Sequence, residues 1–142
     1  MTSFTKRIMI AAAGVVIAAA SASAQTLKAE IPFAFRAGGA VMQPGVYRVD
    51  VQQGATGPSF RISNLASHQT ALLLPGASDE PHKAWVASGK PVLSFECTTS
   101  RCALAGIWPS YASRSYAIPH AKMSRDEVAS IETVVMRPSK GE

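Results

Sequence analysis

Two cysteines, three histidines and nine carboxylates are the residues with which this chain could do chemistry. Cys97 and Cys102 are separated by Thr98, Thr99, Ser100 and Arg101, and four residues suit a hairpin loop. Thiol–disulfide exchange usually employs a C-x-x-C spacing, which is absent, so the pair reads as a structural disulfide rather than a redox centre. Two thiolates with no histidine nearby in sequence do not complete a tetrahedral metal site. Asp79, Glu80 and His82 gather in the segment SDEPH; carboxylates beside an imidazole can activate a nucleophile or hold a cation, and the same composition describes a solvated turn between strands. His68 and His120 stand alone in loop-like sequence. There is no G-x-S-x-G elbow, H-E-x-x-H helix, P-loop or G-x-G-x-x-G turn, so the chain is expected to have no catalytic residue, metal or cofactor. An enzyme whose site is assembled from distant residues stays open as an alternative.

The elements that must position these residues read as β. Leu27, Ala29, Ile31, Phe33 and Phe35 recur at every second position with Lys28, Glu30, Ala34 and Arg36 between them, the pattern of a half-buried strand. On that parity Phe33 and Phe35 belong in the core, and Lys28 and Arg36 in solvent. Pro32 lacks an amide donor, so this strand should lie at an edge or carry a bulge. Ala37, Gly38 and Gly39 interrupt it, and Gln43-Pro44-Gly45-Val46 has the residues of a type II turn. Tyr47, Val49 and Val51 alternate with Arg48 and Asp50, and Phe60 and Ile62 with Arg61 and Ser63, giving two more strands. The apolar run from Ala71 to Leu74 suits a central strand covered on both faces, and Ala84 to Ala87 a short strand around Trp85. Pairing Cys97 with Cys102 sets Phe95 opposite Leu104, Leu93 opposite Gly106 and Val92 opposite Ile107. Ser124 and Glu127 form a capping box for a short helix near the carboxyl end. Residues 131–136 read either as a last strand or as a helix burying Val128, Ile131 and Val135.

The fold class is therefore all-β, an antiparallel β-sandwich or small barrel of seven to nine strands with a short C-terminal helix. Residues 1–24 read as a signal peptide. Lys6 and Arg7 precede an apolar run from Ile8 to Ala20, and Ala22-Ser23-Ala24 offers a small-residue cleavage site. That run is shorter than the roughly 20 residues of a spanning helix, so no membrane span is expected after cleavage, and residues 25–142 form a single β domain, secreted or periplasmic. The whole chain carries a net charge of +5, which falls once Lys6 and Arg7 are removed, because all nine acidic residues lie beyond Ala24. Arg36, Arg48 and Arg61 share the outward parity of their strands and are a candidate basic face, or simply a solvated one. Nucleic acid is an unfavoured partner, since basic and aromatic residues are not interleaved.

IPFAFRAGG followed by MQPGVYRV resembles the opening signature of an uncharacterised family of small exported bacterial β-rich proteins, an IPFxFxxGG strand and turn leading to a PGxYxV strand. The resemblance covers about 25 residues well, with Leu93-Ser94-Phe95 and Ala103 to Trp108 fitting more loosely. It implies export and a β-rich fold, and no substrate. The expected function is a non-enzymatic binding or structural role in the cell envelope, with a ligand-holding β-barrel as the alternative. Tyr111 and Tyr116, near Trp108 and around a polar loop, are the candidate surface binding residues for an envelope polysaccharide or protein. Trp108 is expected inward, on the parity of Cys102 and Leu104.

Overall fold

The computed structural model describes residues 25–110, 113–121 and 129–139. The period-2 stretch at its start builds two strands rather than one. β1 (Gln25–Ile31) pairs along its whole length with β4 (Gly45–Gly54). Pro32 has no amide for the ladder, and the chain leaves the sheet there; β2 (Phe35–Ala37) belongs to the second sheet. The inward parity survives the crossing, since Leu27, Ala29, Ile31 and Phe35 are all buried between the sheets. Phe33 is half-buried at the crossing, its ring edge-on to Phe95 at 5.0 Å, and so is less enclosed than its parity predicts. Arg36 is exposed as expected, and Lys28 half-buried.

Gly38 and Gly39 join β2 to β3 (Ala40–Met42) with φ of 59° and 81°. A two-residue loop with positive φ at both positions is the type I′ geometry that matches strand twist, and glycine adopts it without a steric cost. The Gln43–Val46 segment, expected as a type II turn, instead has Gly45 already in β4 with φ of 157°. It is the corner at which the chain returns to the first sheet, where Gly45 already pairs with Ile31. The buried Tyr47 ties this corner down by donating its hydroxyl hydrogen to the Gln43 carbonyl.

The first sheet has the order β12-β1-β4-β5-β6, all neighbours antiparallel, with β5 (Gly57–Asn64), β6 (Thr70–Leu73) and β12 (Arg137–Pro138). The second runs β11-β8-β9-β10-β7, from β7 (Ser78–Asp79), β8 (Val92–Cys97), β9 (Cys102–Trp108), β10 (Ser115–Ala117) and β11 (Ser130–Val135). The outer edge of β9 is shared. Its carboxyl half pairs with β10, and Ala103 near its start pairs in parallel with Arg36 of β2. Residues 130–138 bind the two sheets along one side, because β11 adds to β8 and β12 to β1 with buried Met136 between them.

This is the expected all-β sandwich. The proline corners and short edge strands bring the described strands to twelve. Phe35 packs edge-on to both Tyr47 and Phe95, at 5.3 and 5.2 Å between centroids, and Phe60, Ile62, Leu93, Leu104 and Ile107 fill the rest of the inter-sheet space. Aromatic payload of this kind dominates core energetics.

Four local expectations are corrected. Ala71 to Leu74 is not central: β6 pairs only with β5, and Leu72 and Leu74 are 58% and 67% exposed. Its apolar run is an alternating edge strand with an apolar outer face. Ala84 to Ala87 lies in a helix, α1 (Lys83–Ser88), ended by Gly89 at φ 69°. A left-handed glycine just past the last turn is a helix stop, and it outweighs the strand preference of Trp85 and Val86. Within the cysteine hairpin, Cys97 does face Cys102 and Phe95 faces Leu104, but Ser94 faces Gly106, Leu93 faces Ile107 and Val92 faces Trp108. Ala105 is the extra residue of a bulge in the pairing with β8, and on the other edge of β9 its carbonyl accepts from the amide of Ile118, the next rung beyond the β9–β10 pairs. The bulge also changes Trp108. It is fully buried, yet it lies outside the inter-sheet cluster that Leu104 and Ile107 join. Residues 130–135 are a strand, and the helix expected at Ser124 falls outside the described residues.

Candidate functional site

The three arginines of the candidate basic face do not share one surface. Arg48 and Arg61 stand on the outer face of the first sheet, around a groove with His68 and Thr70. Asp50 sits between them: it faces Arg61 across the ladder, accepts from Arg48 Nε at 3.0 Å, and accepts from the Thr26 hydroxyl at 3.0 Å. That carboxylate offsets the positive charge locally, so this face is a mixed, solvated one. The turn below it is set by buried Asn64, whose Oδ1 accepts from the amides of Ala66 and Ser67 at 2.9 and 3.0 Å.

Tyr116 is half-buried, its ring tilted on Phe60 at 5.6 Å between centroids, and it borders an open groove with Ser59, Leu74 and Ser78. Tyr111 lies outside the described residues. The SDEPH segment does not assemble a catalytic group. Asp79 is in β7 and accepts from the Glu80 amide, whereas His82 precedes α1 and packs edge-on to Trp85 at 4.4 Å. Among the described residues no three His, Cys, Asp or Glu side chains are placed to hold a metal ion.

Arg36 belongs to a different constellation, which sequence order conceals. A recessed cavity of about 230 Å³ lies where the β2–β3 hairpin, the disulfide end of the β8–β9 hairpin and residues 118–121 meet. Its floor is apolar and deeply buried, with Ala37 at 4%, Ala103 at 3%, Leu104 at 1% and Ile118 at 4% exposure. Its rim carries Arg36, Arg101 and His120. Arg36 is delivered by the single parallel pairing of β2 with Ala103 of β9. Arg101 is held by the hairpin closure: the Cys97–Cys102 disulfide is formed, with Cα atoms 4.0 Å apart, and the Arg101 carbonyl accepts from the Thr98 amide at 2.8 Å. Ile118, one residue beyond β10, donates its amide to the Ala105 carbonyl as the next rung of the β9–β10 pairing, and so places the third wall.

His120 is fixed at both ring nitrogens. Nδ1 lies 3.0 Å from the Ile118 carbonyl, and Nε2 3.1 Å from Glu96 Oε2. Both partners are acceptors and hold the ring in place. Neither Arg36 nor Arg101 has a side-chain hydrogen bond or ion pair among the described residues, in contrast to Arg48. Both guanidiniums are exposed at the rim with donors to spare. The outward parity of Arg36 was readable in the sequence, but Arg101, Glu96 and His120 carried no spacing signal. Their meeting depends on a parallel pairing and on the β9–β10 ladder. Comparison with protein-family models, with characterised proteins and with solved structures finds no match, so the site stands on its geometry. No helix among the described residues is long and apolar enough to cross a membrane.

Proposed function

We propose that this chain is an exported, non-enzymatic binding protein of the cell envelope, secreted or periplasmic, and that it binds its ligand in the cavity rimmed by Arg36, Arg101 and His120. The observation that carries this reading is the convergence of two unengaged arginines, from elements far apart in sequence, over a floor of buried apolar side chains. Ligand sites commonly combine an apolar lining with a few placed polar groups. Binding is favoured over catalysis because the described lining residues include no serine, threonine, free thiol or carboxylate to act as nucleophile, and His120, the candidate base among them, has both ring nitrogens engaged. A holding barrel is disfavoured, since Tyr47 is packed into the inter-sheet core and Trp85 stands on α1.

Export is supported by the charged, apolar and small-residue order of residues 1–24 and by a disulfide, which persists in oxidising compartments. Mass spectrometry of the protein from its host should find Gln25 at the amino terminus, and full-length chain recovered from the cytoplasm would contradict export. The binding reading is tested by a thermal-shift screen of small fragments, charged and neutral, on residues 25–142. Hits should be lost or weakened in Arg101→Ala. A screen with no hit of any kind, or hits indifferent to both Arg36→Ala and Arg101→Ala, would remove the cavity as the site.

A further inference from the structure

Resting on the reading of this cavity as the binding site, we infer that its ligand is a small organic anion: a compact apolar body bearing one carboxylate or phosphate group. Three features converge on that class. The first is charge. Arg36 and Arg101 carry positive charge on the rim, and among the described residues no carboxylate lines the cavity; Glu96, beside His120, is already engaged by the ring nitrogen. A neutral or cationic ligand would leave the two guanidiniums unanswered, whereas each presents a planar fork of donors that matches the oxygens of a carboxylate or phosphate.

The second feature is the floor. Ala37, Ala103, Leu104 and Ile118 offer the inner end of a ligand no hydrogen-bonding side chain. Inorganic phosphate alone would have its inner oxygens facing methyl groups, an unfavourable exchange for water. An apolar body in the same place removes its own surface from water and that of the floor. The third feature is size. At about 230 Å³, the cavity falls below the roughly 300 to 1,000 Å³ of sites for drug-sized ligands, which selects a single ring or a short branched chain.

The test uses residues 25–142 with the disulfide formed, titrated calorimetrically at low salt with benzoate, phenyl phosphate, benzamide and inorganic phosphate. Benzoate or phenyl phosphate should bind, at least tenfold more tightly than benzamide and than inorganic phosphate, and whichever of the two binds better identifies the head group. Arg36→Ala and Arg101→Ala should each weaken that binding about tenfold, and raised salt should weaken it in the unaltered protein, as screening of exposed cations requires. Both arginines are exposed, so these variants fold. Benzamide binding as well as benzoate would overturn the anion assignment while leaving the cavity a ligand site. Inorganic phosphate binding as well as phenyl phosphate would overturn the apolar body. No binding of any of the four, alongside neutral hits in the fragment screen, would likewise reject the class and keep the site.

Discussion

Glu96 and His120 meet across the edge of the second sheet, with the carboxylate of β8 3.1 Å from the imidazole Nε2 of the segment that follows β10. Neither side chain is fully enclosed, at 29% and 23% exposure, so the pair is expected to contribute only about 0.5 to 1 kcal/mol to stability. Its larger effect is on position, because the same ring holds the Ile118 carbonyl and stands at the cavity rim. Glu96→Gln should therefore leave the denaturation midpoint nearly unchanged in a urea titration and yet alter ligand affinity. A loss of several kcal/mol would show that the pair is structural first.

The disulfide closes a loop of only four intervening residues, which corresponds to about 2 kcal/mol in the chain-entropy description. Replacing both Cys97 and Cys102 by Ala should lower the unfolding free energy from a urea titration by that amount while preserving the β circular-dichroism spectrum, since Phe95 and Leu104 hold the register independently. Affinity at the cavity should fall further than stability does, because Arg101 sits inside the released loop. Free alkylation of both thiols in the native exported protein would refute the bridge itself.

How much of this was legible beforehand follows from what each signal reports. Alternation from Leu27 to Phe35 and from Tyr47 to Val51 identified the buried faces correctly, because side-chain period is a local property of a strand. Which sheet each half would join was not local. Pro32 predicts an edge strand or a bulge, yet β1 lies between β12 and β4 in unbroken register and the chain changes sheet at the proline instead, because a missing donor states only where a ladder must stop. Ala71 to Leu74 misled because an apolar run is shared by central strands and by edge strands with apolar outer faces. The site was the least legible part. Arg36 and Arg101 are delivered by a one-residue parallel contact and a hairpin end, and His120 by the β9–β10 ladder continuing at Ala105 and Ile118, a pairing that no residue type announces. Tyr116 was singled out as a surface residue, yet half of it leans on Phe60.

Phe33 and Phe35 share a parity but not a depth. Phe35 is 1% exposed and contacts both Tyr47 and Phe95, so Phe35→Ala should cost about 3 to 5 kcal/mol in a denaturant titration. Phe33 stands at the crossing between sheets and is half-buried, and its truncation should cost about 1 to 2 kcal/mol. Equal costs would mean that the Pro32 corner encloses Phe33 more fully than the packing on Phe95 indicates.

The bulge in β9 has its own test, because Gly106 and Ser94 face each other across it. A Cβ on Gly106 would lie 2.7 Å from Ser94 Oγ, inside any tolerable contact, and Ser94 is buried at 8% exposure. Gly106→Ala should therefore destabilise by about 1 to 3 kcal/mol through overpacking. Removing the offending oxygen relieves the clash: with Ser94→Ala the next neighbours are the Tyr116 carbonyl at 3.5 Å and the residue 94 Cβ at 4.0 Å, ordinary contacts. The double variant Ser94→Ala, Gly106→Ala is thus expected to regain most of what the single Gly106→Ala loses, a favourable coupling of about 1 kcal/mol or more in a double-mutant cycle. Additive effects would show that the two residues do not oppose one another. Ala105 would then not be the inserted residue of the β8–β9 pairing.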